Sequence, residues 1–428
     1  MQERNAAMTQ PQSGAPEETR DPTPTDKPLK GIRVLELARI LAGPWIGQTL
    51  ADLGADVVKV ERPGTGDDTR GWGPPFVESA QDVEAGAAEH LSAAYYHSCN
   101  RGKRSITVSF DTEEGRETIR RLATHADILI ENFKVGGLKK YGLDHDSLKA
   151  LNPRLIYCSV TGFGQTGPYA SRAGYDFLIQ GMGAIMDLTG DPEGEPQKIG
   201  VAFADIFTGL YGVIAIQAAL RQRDATGEGA HIDMALLDSL TGVLANQAMN
   251  FLVSGRSPTR MGNAHPNIVP YQVFPVSDGH VIIATGNDGQ FQRLMEVIGE
   301  AQAASDPRFA DNTSRVNHRE DIAAIITEAT SRFTRADLLA ALERVGVPAG
   351  PINTVEDVFS DPHILARGMQ VALPAPAAQG GLIPGVASPM VIDGTRMTAQ
   401  TPSPRLGEHT REVLADPDWG GGDDTAHS

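Results

Sequence analysis

The sequence predicts an α/β protein, with a large domain on a mostly parallel sheet and a smaller α+β domain. Three observations carry this. Short apolar, β-branched runs alternate with amphipathic helical stretches through the first 160 residues, the pattern of parallel strands joined by helical crossovers. The opening stretch reads strand, helix, strand at the length of one right-handed βαβ unit. Beyond residue 262 the pattern changes to a hairpin followed by helices.

Taken in order, residues 1–28 are rich in Gln, Pro, Thr, Asp and Glu and nearly lack large apolar groups. They bury too little to offset ordering entropy, so a disordered arm is expected. The first strand spans 32–37. Gly43-Pro44 then punctuates the chain, with proline suited to the first turn of a helix. Ile46, Leu50 and Leu53 recur at helical spacing, and Gly54 ends the helix. Val57, Val58 and Val60 form a second strand, stopped by Pro63. Loop chemistry follows around Trp72, then a solvated insertion at 78–90, a helix at 93–99 and a strand at 105–110.

Ile119, Leu122 and Ala123 give the stripe of the next helix, followed by strands at 127–131 and 155–160. From Gly174 the chain turns to helices rich in small residues, at 176–188 and 206–223. The resulting domain map is a disordered arm (1–28), a large Rossmann-like domain (29–225), a helical linker (226–261), a small α+β domain (262–352), and a return to the large domain with a flexible tail (353–428).

Net charge is -17, which argues against nucleic acid or an anionic membrane as the main partner. The two cysteines, Cys99 and Cys158, imply no disulfide framework and a reducing, cytoplasmic compartment. No apolar run reaches the roughly 18 residues of a membrane span, and the polar N-terminus is not a secretory signal.

Ligands of βαβ units sit beyond the carboxyl ends of the strands. The first turn has only Gly43 and Gly47, short of the three-glycine dinucleotide fingerprint, although Glu61 matches its acidic position. The histidines and cysteines lack ligand spacing, so no metal is expected. Cations do recur near sheet ends: Arg62; Arg101, Lys103 and Arg104; Lys134, Lys139 and Lys140. In a protein this acidic they could focus an anion, or form a solvated rim. Asp205 lies among apolar and small residues where a helix begins. It is either an N-cap or a nucleophile in a dry pocket, kept ionised by the helix dipole. Asp176, after Gly174-Tyr175, admits the same two readings.

With these residues in hand, the chain resembles the class III coenzyme A transferases from about 29 to 414. The matching motifs include Leu29-Lys-Gly-Ile-Arg-Val-Leu-Glu-Leu, Val58-Lys-Val-Glu-Arg-Pro, Asn100-Arg-Gly-Lys-Arg-Ser, Glu131-Asn-Phe, Gly162-Phe-Gly, Gly174-Tyr-Asp, Asp205 with Gly209, and Leu406-Gly-Glu-His-Thr. The resemblance implies Asp205 as catalytic nucleophile, passing through an aspartyl anhydride and an aspartyl-CoA thioester. It places CoA against Arg62, Val108, Asn132, Phe133 and Lys140, with Arg104 nearby and Tyr175 at the Gly-Tyr-Asp position. Lys140 stands where relatives carry arginine, keeping the charge and losing the fork. The resemblance further implies CoA thioesters as substrates, no permanently bound cofactor, and an intertwined homodimer. A loop at 261–266 is the candidate to close the site.

Two other readings share the fold, an α-methylacyl-CoA racemase and a CoA-binding protein that has lost catalysis. The racemase needs a histidine where this chain has Tyr175, and a phenol is a poor base at neutral pH. Gly286-Asn-Asp-Gly-Gln-Phe and the 265–274 stretch look like the branch using succinyl-CoA with dicarboxylates such as glutarate. A second substrate carboxylate would want a cation, for which Arg39, Arg172 and Arg260 are candidates.

Overall fold

The structure, a computed structural model, describes residues 27–80 and 90–422. The expected arm, apart from its last two residues, and most of the 78–90 insertion lie outside the described residues. Lys27 donates to the carbonyl oxygens of Asp52 (3.1 Å) and Thr398 (2.9 Å).

The first eight strands in chain order are β1 (Arg33–Glu36), β2 (Asp56–Glu61), β3 (Phe76–Glu78), β4 (His90–Ala93), β5 (Lys103–Thr107), β6 (Ile128–Glu131), β7 (Ile156–Thr161) and β8 (His231–Ala235). Six of them form one sheet in the order β5-β2-β1-β6-β7-β8, and every pair is parallel. The order reverses between β1 and β6, which is the switch point where an open α/β sheet receives its ligand.

Successive strand residues point to opposite faces, so one strand feeds two cores. Val34, Val57, Ile128 and Ile156 join one; Leu35, Val58, Leu129 and Tyr157 join the other. Burial on both sides explains why these strands read as unbroken apolar runs.

The helices up to residue 254 are α1 (Ala42–Asp52), α2 (Ala94–His97), α3 (Glu113–His125), α4 (His145–Leu151), α5 (Asp176–Met182), α6 (Ile185–Leu188), α7 (Phe203–Thr226), α8 (Leu236–Gly242) and α9 (Ala245–Ser254). Residues of α1, α7 and α8 fill the first core. Those of α3 and α4, with Val413 and Trp419 of the returning tail, fill the second. The small residues of α7 let it approach α1: a Cβ on Gly212 would lie 2.6 Å from Ile46, and one on Gly209 3.1 Å from Trp45.

By length and hydropathy alone α7 could cross a membrane. One side packs on α1 and the sheet, while Leu210, Tyr211 and Ile214 of the other are exposed.

Three elements differ from the sequence reading. The 226–261 segment is not purely helical, because β8 within it supplies the sixth strand, paired with β7. Its alternating His-Ile-Asp-Met-Ala pattern suits an edge strand and not the solid runs expected elsewhere. The 176–188 helix is broken into α5 and α6 at Gly183–Ala184, where Ala184 is left-handed (φ 66°) and a Cβ on Gly183 would meet Leu240 at 2.4 Å. The 93–99 helix shrinks to the single turn of α2, with β4 before it paired to β3.

The segment from Val269 to Ala349 has a core of its own, including Phe274, Phe291, Leu294, Phe309 and Ile326. Its sheet is antiparallel, in the order β11 (Ala349–Pro351), β10 (Gly279–Ala284), β9 (Tyr271–Val276). The tail then returns to the large domain: His409 donates its backbone N–H to the Ser105 carbonyl, and the Trp419 indole donates to Asp56 at 2.7 Å.

Candidate active site

A cavity of about 550 Å³ opens at the carboxyl edge of the parallel sheet, walled by the loops after β1, β2, β5, β6 and β7 and by the start of α7. At the switch point, Asn132 clamps the ends of β1 and β6. Its side-chain N–H donates to the Arg39 carbonyl at 2.6 Å, and its amide oxygen accepts from the Arg39 N–H at 3.1 Å. The next residue, Ile40, has φ 76°, a left-handed conformation that costs a β-branched residue of order 1–3 kcal/mol. Asp67 holds it there by accepting from the Ile40 N–H through both carboxylate oxygens at 3.2 Å.

Beneath that turn lies a buried ionic network. Lys59 bridges Glu36 and Asp67 at 2.9 Å each. Lys103 bonds Glu36 at 2.8 Å and the Asn100 side-chain oxygen at 2.8 Å. Arg70 forks onto Glu61 at 2.8 and 2.6 Å and rests over the Tyr96 ring. Three carboxylates and three cations thus balance one another out of water. Burial alone would raise the pKa of Asp67 and of Glu61. The charge of Lys59 on the first, and the hydrogen bonds and charge of Arg70 on the second, outweigh it and hold both below the ordinary carboxylate range. Glu61, which matched a nucleotide-ribose position in the sequence, is spent on Arg70 and Ser105.

On the opposite wall, α7 begins after Ala202, which has no capping side chain. Asp205 is therefore not the N-cap but lies in the first turn of the helix. The missing cap comes from α5: Asp176 accepts from the backbone N–H of Ala204 at 2.8 Å and of Asp205 at 3.3 Å. Gln180, in the same helix, donates to the other Asp176 oxygen at 2.7 Å and accepts from the Ile199 N–H at 2.9 Å. Two side chains of α5 thus hold the whole approach to α7.

Burial first, and the Asp176 charge second, push the Asp205 carboxyl up to about 7. This corrects the expectation that the helix dipole keeps it firmly ionised: two unfavourable effects outweigh one favourable one of modest size. The Tyr95 phenol, raised to about 12 by burial and then by the Asp205 charge, stands within that field.

The cavity wall includes Asp205, Arg62, Val108, Asn132, Phe133, Lys140 and Tyr175. It does not include Arg104, which is a correction. The Arg104 guanidinium sits at the opposite end of β5, ion-paired with Asp56, Glu412 (3.0 Å) and Asp416 (3.3 Å). Residues that open a strand lie at the edge away from the ligand, and the acids that claim Arg104 come from another strand and the distant tail. Arg101 and Lys103 are likewise spent internally, Arg101 on Asp52 at 2.7 Å. Residues 261–266 are not among those lining the cavity.

Phe110, Phe133 and Tyr141 group on one wall, with ring centroids 5.9 and 6.1 Å apart and the Lys140 ammonium over Tyr141. Sequence reasoning missed Lys59, Asp67, Arg70, Tyr95 and Gln180, whose partners are brought together only by folding. Among the described residues no group of His, Cys, Asp and Glu could hold a metal.

A raised carboxyl and several cations lining one switch-point cavity are the equipment of a site that could do covalent chemistry on an anionic ligand. Comparison with known proteins narrows that class: the chain belongs to CoA-transferase family III, matched over residues 29–410. It is 58% identical to the succinate–glutarate CoA-transferase of Agrobacterium fabrum, over 91% of this chain and 95% of that one. It is 38% identical to the succinyl-CoA:glutarate CoA-transferase of Homo sapiens, over 91% of this chain and 85% of that one. Among solved structures, a CAIB/BAIF family protein from Brucella suis superimposes with a TM-score of 0.79 at 61% identity, covering 91% of this chain and 99% of that one.

Proposed function

We propose that this CoA-transferase moves CoA from succinyl-CoA to a small dicarboxylic acid, with Asp205 as the nucleophile. The observation that carries the reading is Asp205 at the start of α7, on the same cavity as the cations beyond β2 and β6.

In the first step the Asp205 carboxylate attacks the thioester carbonyl. The C–S bond breaks, CoA leaves as thiolate with the electron pair, and a mixed anhydride remains. The thiolate then attacks the aspartyl carbonyl, releasing the donor acid as carboxylate and leaving an aspartyl-CoA thioester. The acceptor carboxylate attacks that thioester, and the returning thiolate takes the new acyl group and frees Asp205. Every intermediate is an activated acyl group that water would destroy, so the carboxylate works partly buried and away from bulk solvent. Only the ionised form attacks, and a carboxyl near 7 supplies it at neutral pH with more nucleophilicity than a strongly acidic one.

Arg62 and Lys140 suit the phosphates of CoA, and the Phe110, Phe133 and Tyr141 wall suits its base. The names of the relatives support the succinyl donor and dicarboxylic acceptor. A homodimer would cover the apolar groups left exposed on α5, α7 and α9, among them Phe177 (61%), Ile214 (62%) and Val253 (80%). The unpaired, buried thiols of Cys99 and Cys158 suit a reducing cytoplasm.

Mass spectrometry of the protein mixed with succinyl-CoA and no acceptor tests the route. A CoA adduct should localise to Asp205 and vanish in Asp205→Asn. An adduct that survives the substitution, or that maps elsewhere, would refute the assignment.

A further inference from the structure

We infer that Arg172 reads the distal carboxylate of the acceptor and so makes the enzyme selective for dicarboxylic over monocarboxylic acids. The inference rests on the transferase reading above and extends it to the residue that selects the substrate.

Three arginines compete for this role, and the structure separates them. Arg260 donates to the Asp187 carboxylate at 3.1 Å and to the carbonyls of Asp187, Asp191 and Gly194, and it does not line the cavity. Arg39 lines the cavity, but its guanidinium is paired with Asp68 at 2.6 Å. Arg172 lines the cavity and, among the described residues, its guanidinium has no carboxylate or carbonyl partner. It rests instead over two rings, with its central carbon 4.5 Å from the Tyr169 centroid and 5.3 Å from that of Phe163.

Those rings stand edge to face at 5.6 Å and form a corner for the guanidinium. A planar cation stacked on aromatic faces is restrained in orientation while its N–H edges remain free. That is the geometry for forked binding of a carboxylate, with little ordering cost at the moment of binding.

The backbone fixes where this cation stands. Gly174 packs directly on Gly162 at the end of β7: a Cβ on Gly162 would lie 2.6 Å from the Gly174 Cα, and one on Gly174 2.7 Å from the Gly162 Cα. This contact pins the loop carrying Arg172 to the sheet edge. The same loop runs on into Asp176, which caps the helix of Asp205. One short segment therefore sets both the reacting carboxylate and the cation that would meet the far end of its acceptor. Arg62 and Lys140 lie beyond β2 and β6, on the wall assigned to CoA.

The test is a competition between glutarate and valerate, two five-carbon acids that differ in the distal carboxylate, for the same enzyme-bound CoA. Both are supplied with limiting succinyl-CoA, and glutaryl-CoA and valeryl-CoA are separated and quantified. The product ratio reports partitioning of a common intermediate, so a general loss of stability or rate does not move it.

Wild-type protein should favour glutaryl-CoA. Arg172→Gln should lower the ratio by about 10–100-fold, the worth of one charge-assisted hydrogen-bond pair. Arg172→Lys should recover part of it, and serves if the Gln variant does not fold. An unchanged ratio in both variants overturns the assignment of Arg172, as does a collapse of the ratio in Arg39→Gln with Arg172→Gln unaffected. A wild-type preference for valerate overturns the dicarboxylate class. Failure of the wild type to form either product strikes the transferase reading beneath.

Discussion

Replacing Asp176 by Asn should carry the acidic limb of the pH–rate profile to lower pH. Asp205 sits at about 7 against an ordinary 3.8, displaced first by burial and second by Asp176. Asparagine keeps an amide oxygen that can accept from the Ala204 and Asp205 N–H groups, so the cap on α7 is retained and the charge removed, at the cost of the hydrogen bond that Gln180 donates to the other Asp176 oxygen. As a general scale, two like unit charges about 7 Å apart repel by about 2–3 kcal/mol at an effective dielectric near 20, and 1.36 kcal/mol corresponds to one pH unit. Solvent reaching the open cavity screens part of this, so the expected displacement is about one unit. Because the attacking form is the carboxylate, wild-type kcat/KM should fall as pH drops through about 7, and the variant should hold its plateau about one unit further down. The assay is kcat/KM for the acyl-CoA between about pH 5 and 9, which reports the free enzyme. A limb that stays in place, or that moves to higher pH, would show that Asp176 is only a cap and that its charge does not reach the nucleophile.

Three further outcomes follow from the same geometry. Asp205→Asn should unfold at higher temperature than wild type above pH 7. A raised carboxyl pKa means the folded state gains stability from the protonated form and loses it as pH rises through about 7; calorimetry at pH 8 and pH 5 should show the advantage shrinking at the lower value. Lys59→Met leaves Glu36 and Asp67 without their shared cation and should cost about 3–5 kcal/mol in urea unfolding, the penalty of breaking a buried pair. Arg104→Gln should leave the KM for acyl-CoA unchanged while lowering stability by about 1 kcal/mol, because its guanidinium serves Asp56, Glu412 and Asp416 outside the cavity. A several-fold rise in KM would return Arg104 to the CoA site.

Much of the fold was legible because its signals are local. The apolar runs at 32–37, 57–60, 127–131 and 155–160 are buried on both faces of one parallel sheet, and such strands declare themselves by composition alone. Asp205 drew attention as a carboxylate among apolar and small residues at a helix start, which left an N-cap and a nucleophile both open, and the family resemblance put it forward as the nucleophile. The edge strand β8 escaped notice because its alternating pattern is shared with loops and amphipathic helices, and only pairing with β7 identifies it. At the break, Gly183 packs so closely on Leu240, far along the chain, that a Cβ there would lie 2.4 Å from it, a contact no local pattern reports.

By itself the sequence determined the alternation of strands and helices, which is written in residues close together, and the family, which is written in short motifs spread from Leu29 to Thr410 and brings the candidate nucleophile with it. Only the tertiary structure decided which charges meet. Arg104 went to Asp56 and the tail, Lys103 to Glu36, and Arg39 to Asp68, while Arg172 has no carboxylate partner among the described residues and rests over Tyr169. The physical reason is that a charged side chain shows its type in the sequence but not its partner. Ion pairing acts over a few ångströms in space, and the partners here lie as much as 312 residues apart.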